Sequence, residues 1–245
     1  MDHTTRESAQ VSAPSTDTDT DTDTDTDIDS GTAAPFATAD PSATDVPDTA
    51  GPPPAPLRLA VIVASNREGR FAPVVTDWFL SRAAAYGDLD VDVIDVARVD
   101  LPTALSFSPS DDVKAVLADV SPRLAAADAF VVVTPEYNHS FPAALKNLID
   151  WHGSEWHAKP VGFVSYGGMS GGLRAVEQLR QVFAEMHATT IRETVSFHGA
   201  WSHFDVDGRH KDPSGAETAA KALLNQLTWW ARALRDARSV RPYGG

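Results

Sequence analysis

The sequence predicts an α/β fold in which helices cover both faces of a five-stranded parallel sheet. Between residues 57 and 245, short apolar runs alternate five times with longer segments that have helical spacing. The connections between these segments are short, which favours parallel strands joined by right-handed crossovers. Together these observations predict a flavodoxin-like three-layer sandwich, whose sheet has the strand order 2-1-3-4-5.

The five predicted strands are short runs of apolar or β-branched residues. The first and third are almost continuously apolar, as expected for parallel strands that are buried on both faces. The second alternates apolar Leu89, Val91 and Val93 with acidic Asp90 and Asp92, which is typical of a strand at the edge of a sheet. The predicted strands cover residues 57–64, 89–96, 129–133, 160–165 and 189–197.

The five predicted helices rest on helical spacing and on residues that begin or end a helix. Gly87 ends the first helix, and Pro122 is expected to bend or break the second. Pro142 has the fixed φ that suits the start of the third helix, and Ser140 lies close enough in sequence to cap it. The predicted helices cover residues 72–86, 111–127, 142–151, 171–187 and 216–238.

Residues 1–56 are predicted to form a disordered acidic tail, and residues 57–245 one folded domain. The tail contains a Thr-Asp tract from Thr16 to Asp27 and a single aromatic residue, Phe36, so it buries too little apolar surface to fold. Its eleven Asp, one Glu and one Arg account for −11 of the net charge of −14. The tract lacks the Gly and Glu that an EF-hand loop requires, so it predicts no specific calcium site.

Several classes of protein are disfavoured by composition. The chain has no cysteine, which excludes disulfides, thiolate metal sites and a thiol nucleophile. The N-terminus has no apolar signal segment and no stretch reaches membrane-spanning length, so we expect a cytoplasmic protein that does not bind membranes. The domain is close to neutral, which disfavours nucleic acid as a partner. His152 and His157 do not match zincin spacing, and we predict no metal site.

A polar loop follows the first predicted strand, and a helix starts directly after it. Ser65, Arg67 and Arg70 supply a hydroxyl and two guanidinium groups, and Gly69 lets the backbone approach a ligand closely. Such groups at a helix N-terminus suit a phosphate, although an ordinary strand-to-helix loop with solvated Arg would look similar. Neither a G-x-G-x-x-G nor a Walker motif is present, which disfavours tightly held NAD or ATP and leaves a mononucleotide phosphate.

The loop after the third predicted strand is unusually polar. Pro135 cannot continue a sheet ladder, so the strand should end there. Glu136, Tyr137 and Asn138 follow it. In this fold ligands bind at the carboxyl ends of the strands, at the switch point between the first and third strands. These side chains should therefore lie beside the first loop.

The loop after the fourth predicted strand contains four Gly among residues 165–172. Bare backbone of this kind could lie against a flat ring and offer N–H groups to its edge, or it could be a flexible start of a helix. Because all three polar loops follow strands of one parallel sheet, they should lie at the same end of it. We expect them to form one site.

The motifs in these loops resemble those of the NADPH-dependent FMN reductase family, which includes flavin, quinone, azo-dye and chromate reductases on a flavodoxin-like fold. The resemblance covers about residues 57–195. It implies bound FMN, NADPH or NADH as substrate, and a homodimer or homotetramer. The motifs are SNR at 65–67, TPEYN at 134–138, LKN at 145–147 and SYGG at 165–168.

The resemblance also implies a role for each loop. The first would hold the FMN phosphate, the second would line the ribityl chain and isoalloxazine, and the third would lie at the other edge of the ring. No side chain would be an obligatory proton-transfer catalyst, because the flavin carries the chemistry. The implied cofactor-binding residues are, loop by loop, Ser65, Arg67, Arg70 and the N–H of Phe71; Pro135, Glu136, Tyr137 and Asn138; and Ser165, Gly167 and Gly168.

We therefore expect an FMN-dependent oxidoreductase. It would transfer a hydride from NAD(P)H to bound FMN and then to a small-molecule acceptor such as a flavin, a quinone, an azo compound or a metal oxyanion. One alternative is a flavodoxin-like electron-transfer module that binds FMN but reacts poorly with NAD(P)H. Another is a non-catalytic regulatory protein on the same fold.

Overall fold

The computed structural model describes residues 55–244, so the predicted disordered tail lies outside the described residues except for its last two. The described part contains one five-stranded sheet in which all neighbouring strands are parallel and the order is 2-1-3-4-5. The fold prediction is therefore confirmed. The strands are β1 (Leu57–Val63), β2 (Leu89–Asp95), β3 (Ala129–Pro135), β4 (Pro160–Gly167) and β5 (Thr189–His198).

Helices follow the strands as predicted, and none of the predicted strand or helix ends is more than two residues from the observed one. A four-residue helix, Ala200–His203, and two 3-10 turns, Val96–Arg98 and Ser154–Trp156, were not predicted. No helix among residues 55–244 has the length and apolar character needed to cross a bilayer. The helices are α1 (Ala72–Tyr86), α2 (Asp111–Ala126), α3 (Ala143–Asp150), α4 (Leu173–Glu185), α5 (Ala200–His203) and α6 (Ser214–Val240).

The structure excludes two expected features of the helices, a break in α2 at Pro122 and a Ser140 cap on α3. Helix α2 runs through Pro122 without a break, and the buried side chains of Val120 and Leu124 hold it to the core on either side of the proline. Ser140 does not cap α3, because its hydroxyl donates to the Gln178 amide oxygen of α4 at 2.6 Å. At both positions, tertiary contacts outweighed the structural preference of the local sequence.

The core consists of two apolar layers, one on each face of the sheet. Alternation along the central strands divides the side chains between them. Val61 and Val131 pack towards α1 and α6, and Ile62 and Val132 pack towards α2, α3 and α4. All four are completely buried. This three-layer packing fixes the strand ends, and with them the loops that follow β1, β3 and β4.

Candidate active site

Three loops meet at the carboxyl edge of the sheet, one after each of the central strands β1, β3 and β4. A 2.5 Å hydrogen bond between Ser65 Oγ and Tyr137 OH joins the first loop to the second. Glu136 joins the second loop to the third, because it accepts hydrogen bonds from Ser170 and Arg174. The predicted loops thus form one surface. We call it the carboxyl-edge site, and it comprises residues 65–71, 135–140 and 165–174.

The first loop leaves the start of α1 open to a ligand. Ser65 is completely buried, whereas Arg67 is exposed. Helix α1 begins after Phe71 without a side-chain cap among the described residues, and its first turn contains no acidic residue. Because free N–H groups and the positive end of the helix dipole lie here, the loop suits an anion. The donors and cations are those expected for a phosphate.

Arg70 forms an ion pair with Asp95 at the end of β2. Both terminal nitrogens of Arg70 lie 2.5 Å from a carboxylate oxygen of Asp95, and Nη1 also donates to the carbonyl oxygen of Ser65. Burial acts to raise the pKa of Asp95, but hydrogen bonds from Arg70 and from the Ala97 N–H outweigh it and hold the pKa below its usual value. The bidentate pair makes Arg70 a brace for the first loop. Its predicted help in phosphate binding stays a prediction.

The second loop reverses direction through a two-residue hairpin. The backbones of Tyr137 and Ser140 exchange hydrogen bonds of 2.8 and 3.0 Å. Between them, Asn138 and His139 have φ values of 49° and 73°, as a type I′ turn requires. This turn leaves Asn138 exposed at its tip. The Arg67 guanidinium carbon lies 5.0 Å from the centroid of the Tyr137 ring, a cation–π distance that holds the first two loops together.

Glu136 is directed towards the third loop. Its carboxylate accepts hydrogen bonds from the Ser170 hydroxyl and from the N–H of Arg174 at 3.2 Å, and it pairs with the Arg174 guanidinium at 3.1 Å. Burial acts to raise the pKa of Glu136, but these hydrogen bonds and the Arg174 charge outweigh it and lower the pKa from its usual value. Glu136 thus braces one loop against another. The sequence analysis missed both of its partners.

The third loop is shaped by glycines that serve different purposes. Gly171 and Gly172 have φ values of 61° and 88° and approach β4 and β5 so closely that a Cβ on either would lie within 3.0 Å of another side chain. The Ser165 hydroxyl donates to the Gly171 carbonyl at 2.8 Å, which ties the loop to β4. Gly168 is exposed, and a Cβ there would meet only Trp201, at 3.9 Å. Its carbonyl oxygen accepts a hydrogen bond from the Gly199 N–H at 2.8 Å, and the residue itself is exposed at the edge of this loop.

Tyr166 is a further candidate residue that the sequence analysis did not single out. It is the last residue but one of β4 and points to the opposite face of the sheet from Ser165. Its ring lies 6.3 Å from that of Phe71, at the start of α1. Strand alternation was the available signal: a tyrosine at the carboxyl end of a central strand, facing the first loop.

Comparison with known proteins gives a family for most of the described chain. Residues 57–202 match the model of a family described as NADPH-dependent FMN reductase. An NAD(P)H-dependent FMN reductase of Schizosaccharomyces pombe is 34% identical over 134 residues, which cover 51% of this chain and 64% of that protein. The match therefore spans just under two thirds of this relative.

Two further similarities cover more of their counterparts. A probable NADPH:quinone oxidoreductase of Oryza sativa subsp. japonica is 33% identical over 186 residues, which cover 70% of this chain and 88% of that protein. The structure of FerB, a flavoenzyme NAD(P)H:(acceptor) oxidoreductase from Paracoccus denitrificans, superposes with a TM-score of 0.56 at 22% identity over 72% of this chain and 98% of FerB. The structural likeness supports the fold.

Proposed function

The chain belongs to the NADPH-dependent FMN reductase family, and on that premise we propose that it transfers a hydride from NAD(P)H to FMN at the carboxyl-edge site and then reduces a second small-molecule acceptor. Family membership confirms the resemblance drawn from the motifs. It also confirms the enzyme class and the pairing of FMN with NAD(P)H. The order of the two transfers and the identity of the acceptor belong to the proposal.

The observation that best supports this site is the joining of the three loops. The Ser65–Tyr137 contact and the Glu136 contacts with Ser170 and Arg174 link loops that lie far apart in the sequence. Two-sided bracing of this kind holds a binding surface in one geometry before the ligand arrives, which lowers the entropy cost of binding. An ordinary set of strand-to-helix loops needs no such connections.

The donor groups of the site match the chemistry of FMN. Arg67, Ser65 and the free N–H groups of α1 would bind the phosphate. The exposed backbone of Gly168 and the amide of Asn138 would lie along the isoalloxazine and ribityl parts. When bound, FMN supplies the redox chemistry, taking two electrons and a proton as hydride from NAD(P)H and passing them to the acceptor. The chain would hold the ring and leave one face open.

The proposal is tested first by flavin titration of the purified protein. Addition of FMN should change its visible spectrum, and Arg67→Ala should weaken FMN binding about tenfold, because a charge-assisted hydrogen bond to phosphate is lost. Arg192→Ala is the matched control, since Arg192 is an exposed arginine on β5 outside the site. A protein whose spectrum responds to neither FMN nor FMN with NADPH would refute the proposed function.

The second loop offers a complementary variant. Asn138→Ala removes the amide but also disfavours the positive φ of the turn, whereas Asn138→Gly removes the amide and retains the turn. If the amide binds FMN, both variants should weaken binding. If only Asn138→Ala does so, the residue acts through the turn alone, and its proposed contact with FMN is wrong.

Rapid mixing of the FMN-loaded protein with NADPH separates a reductase from an electron-transfer module. Fast bleaching of the flavin supports the reductase, and slow bleaching supports the module. An anaerobic panel of flavins, quinones, azo compounds and chromate then identifies the acceptor. A homodimer or homotetramer and a cytoplasmic location belong to the same proposal, and light scattering of the purified protein tests the assembly.

A further inference from the structure

Two buried hydroxyls among the described residues have no hydrogen-bond partner, one on Thr76 within α1 and the other on Tyr166 at the carboxyl edge of the sheet. Tyr166 is 4% exposed, and its hydroxyl oxygen makes no hydrogen bond to any described residue. The neighbouring Ser65 hydroxyl pairs instead with Tyr137 at 2.5 Å. Buried polar groups in folded proteins nearly always have a partner, and an isolated one destabilises the fold. The exception at Tyr166 therefore requires a reason.

The position of the hydroxyl provides that reason. Strand alternation turns Tyr166 towards α1, where its ring packs 6.3 Å from that of Phe71, beside the uncapped N-terminus of the helix. Burial raises the pKa of Tyr166, with Tyr137 acting in the same direction, whereas Ser65, Arg67 and Arg70 act to lower it. The hydroxyl thus lies close enough to the first loop for Ser65 and the charges of Arg67 and Arg70 to affect its pKa.

The neighbouring groups decide what kind of partner is missing. Arg67 and Arg70 can only donate hydrogen bonds, and the phenol of Tyr166 remains protonated because burial holds its pKa above the usual range. The nearby hydroxyls of Ser65 and Tyr137 are uncharged and already hydrogen-bond each other, so an anionic acceptor would suit the Tyr166 hydroxyl better than either of them. A phosphate oxygen is an acceptor, and its negative charge complements the exposed guanidinium of Arg67, whereas that of Arg70 is paired with Asp95.

We propose that the Tyr166 hydroxyl donates a hydrogen bond to the terminal phosphate of FMN, and that it makes the site prefer FMN over riboflavin. The inference rests on the proposed function, because it assigns a further residue to the same cofactor. Tyr166 has a positioning and specificity role, and it does not contact the reacting part of the ring. On this proposal the phosphate supplies the acceptor that the described residues do not provide for the Tyr166 hydroxyl.

The test is a comparison of two flavins that differ only in the phosphate. Deflavinated full-length protein is titrated with FMN and with riboflavin, and binding is followed by quenching of flavin fluorescence. Tyr166→Phe should weaken FMN binding about tenfold and leave riboflavin binding within about twofold. The FMN preference should therefore shrink by about the same factor.

Tyr86→Phe is the matched control, because the Tyr86 hydroxyl has a partner, Thr228 Oγ1 at 3.0 Å, between α1 and α6. It should lower the thermal stability of the flavin-free protein and leave the FMN preference unchanged. Tyr166→Phe should do the reverse, since it removes a hydroxyl that has no partner until FMN binds. A fall in the stability of flavin-free Tyr166→Phe would mean that the hydroxyl already has a partner, such as a buried water, and would overturn the proposal.

The titrations also separate a failure of the Tyr166 role from a failure of the phosphate site or of flavin binding as a whole. If wild-type protein prefers FMN and Tyr166→Phe preserves the full preference, the phosphate site stands and the role of Tyr166 is wrong. If wild-type protein binds FMN and riboflavin equally, the phosphate site itself is wrong, and the Tyr166 proposal is overturned with it. If it binds neither flavin, the proposed function is refuted.

Discussion

The two ends of the sheet both carry charged and hydroxyl side chains, but they differ in where those groups find partners. At the amino end, Asp128, Lys159, Arg235 and Arg238 form what we call the amino-end cluster. Asp128 accepts from the Arg58 N–H at 3.1 Å and pairs with both arginines at 3.5 Å. Each charged group of this cluster has a partner among the described residues.

Lys159, in the same cluster, also has its hydrogen-bond partners within the chain. It is 5% exposed, and its ammonium group donates to the carbonyl oxygens of Leu124 and Ala125 at the end of α2. These carbonyls are among those that a helix end leaves without intrahelical partners. The cation also lies at the negative end of the helix dipole, which favours a positive charge.

At the carboxyl end, by contrast, several groups have no partner within the described chain. Within residues 55–244, helix α1 has no side-chain cap, the exposed Arg67 lies over the Tyr137 ring but has no carboxylate partner, and the buried Tyr166 hydroxyl makes no hydrogen bond. Polar groups that the chain satisfies contribute to stability, and polar groups that it leaves unsatisfied are available to a ligand. The amino-end cluster should therefore affect folding alone, and the carboxyl-edge site should affect flavin binding.

The largest effect is expected from Asp128→Ala. It leaves the Arg58 N–H without its acceptor and two partly buried guanidinium groups without their carboxylate. We expect the free energy of unfolding to fall by about 3 kcal/mol and FMN affinity to stay within about twofold. Urea denaturation of the flavin-free protein measures the first, and flavin titration measures the second.

Asp90→Ala is the control for that variant, because Asp90 is an exposed aspartate on the edge strand. It should change the free energy of unfolding by less than about 0.5 kcal/mol. If Asp128→Ala weakened FMN binding while stability held, the proposed division between the two ends of the sheet would be wrong.

The sequence predicted the framework well because its signals are local. Pro135 ends β3 and Gly87 ends α1, as expected from the chemistry of these residues. The pairs that brace the site are not local. Arg70 and Asp95 are 25 residues apart, and Glu136 and Arg174 are 38 apart. No period or motif relates residues at such separations, so only the folded chain shows them.

The missing hydrogen-bond partner of the Tyr166 hydroxyl could not be predicted from the sequence either, for a different reason. Its motif was noticed, and the strand pattern predicts which face it occupies. Whether its hydroxyl has a partner depends on the side chains around it, and those come from two other segments, residues 65–70 and the loop that contains Tyr137. Local rules also failed where a tertiary contact competed, as when Ser140 bonded Gln178 instead of capping α3.

An intermediate effect is expected from the pH dependence of Lys159. Burial, followed by the repulsion of Arg238, lowers its pKa from the usual 10.5 to about 8. Between these pH values the unfolded chain binds the proton and the folded chain does not, so stability should increase as pH rises from 8 to 10.5. The contribution is lost as pH falls through 8.

Lys159→Met isolates this effect, because it keeps the apolar stem and removes the titrating group. The free energy of unfolding of the wild type, measured against this variant by urea denaturation, should rise by roughly 1–3 kcal/mol across that window. Parallel pH profiles for the two proteins would contradict the prediction. FMN affinity at neutral pH should be the same in both, as expected for the amino-end cluster.

The smallest effect is expected from Glu136→Gln. Glu136 lies at the carboxyl end of the sheet, but like the amino-end cluster it has partners within the chain. Glu136 lies in the carboxyl-edge site, yet its carboxylate has partners in Ser170 and Arg174, so the main effect should be on loop stability. Its pKa lies below the usual 4.5, so its contribution is complete above that pH and is lost as pH falls through the folded-state pKa.

Wild type should therefore be more stable than Glu136→Gln by less than about 1 kcal/mol at neutral pH, and thermal unfolding should show the two converging in acid. Because Gln can still accept a hydrogen bond from Ser170, FMN binding should weaken only about twofold, through a looser third loop. Glu177→Gln on the exposed face of α4 is the control and should show neither change.

A loss of FMN affinity as large as that expected for Arg67→Ala would mean that the Glu136 carboxylate binds the ligand directly. Glu136 would then be a ligand-binding group that also has partners within the chain, and the division of the two ends of the sheet by their partners would be wrong for this residue.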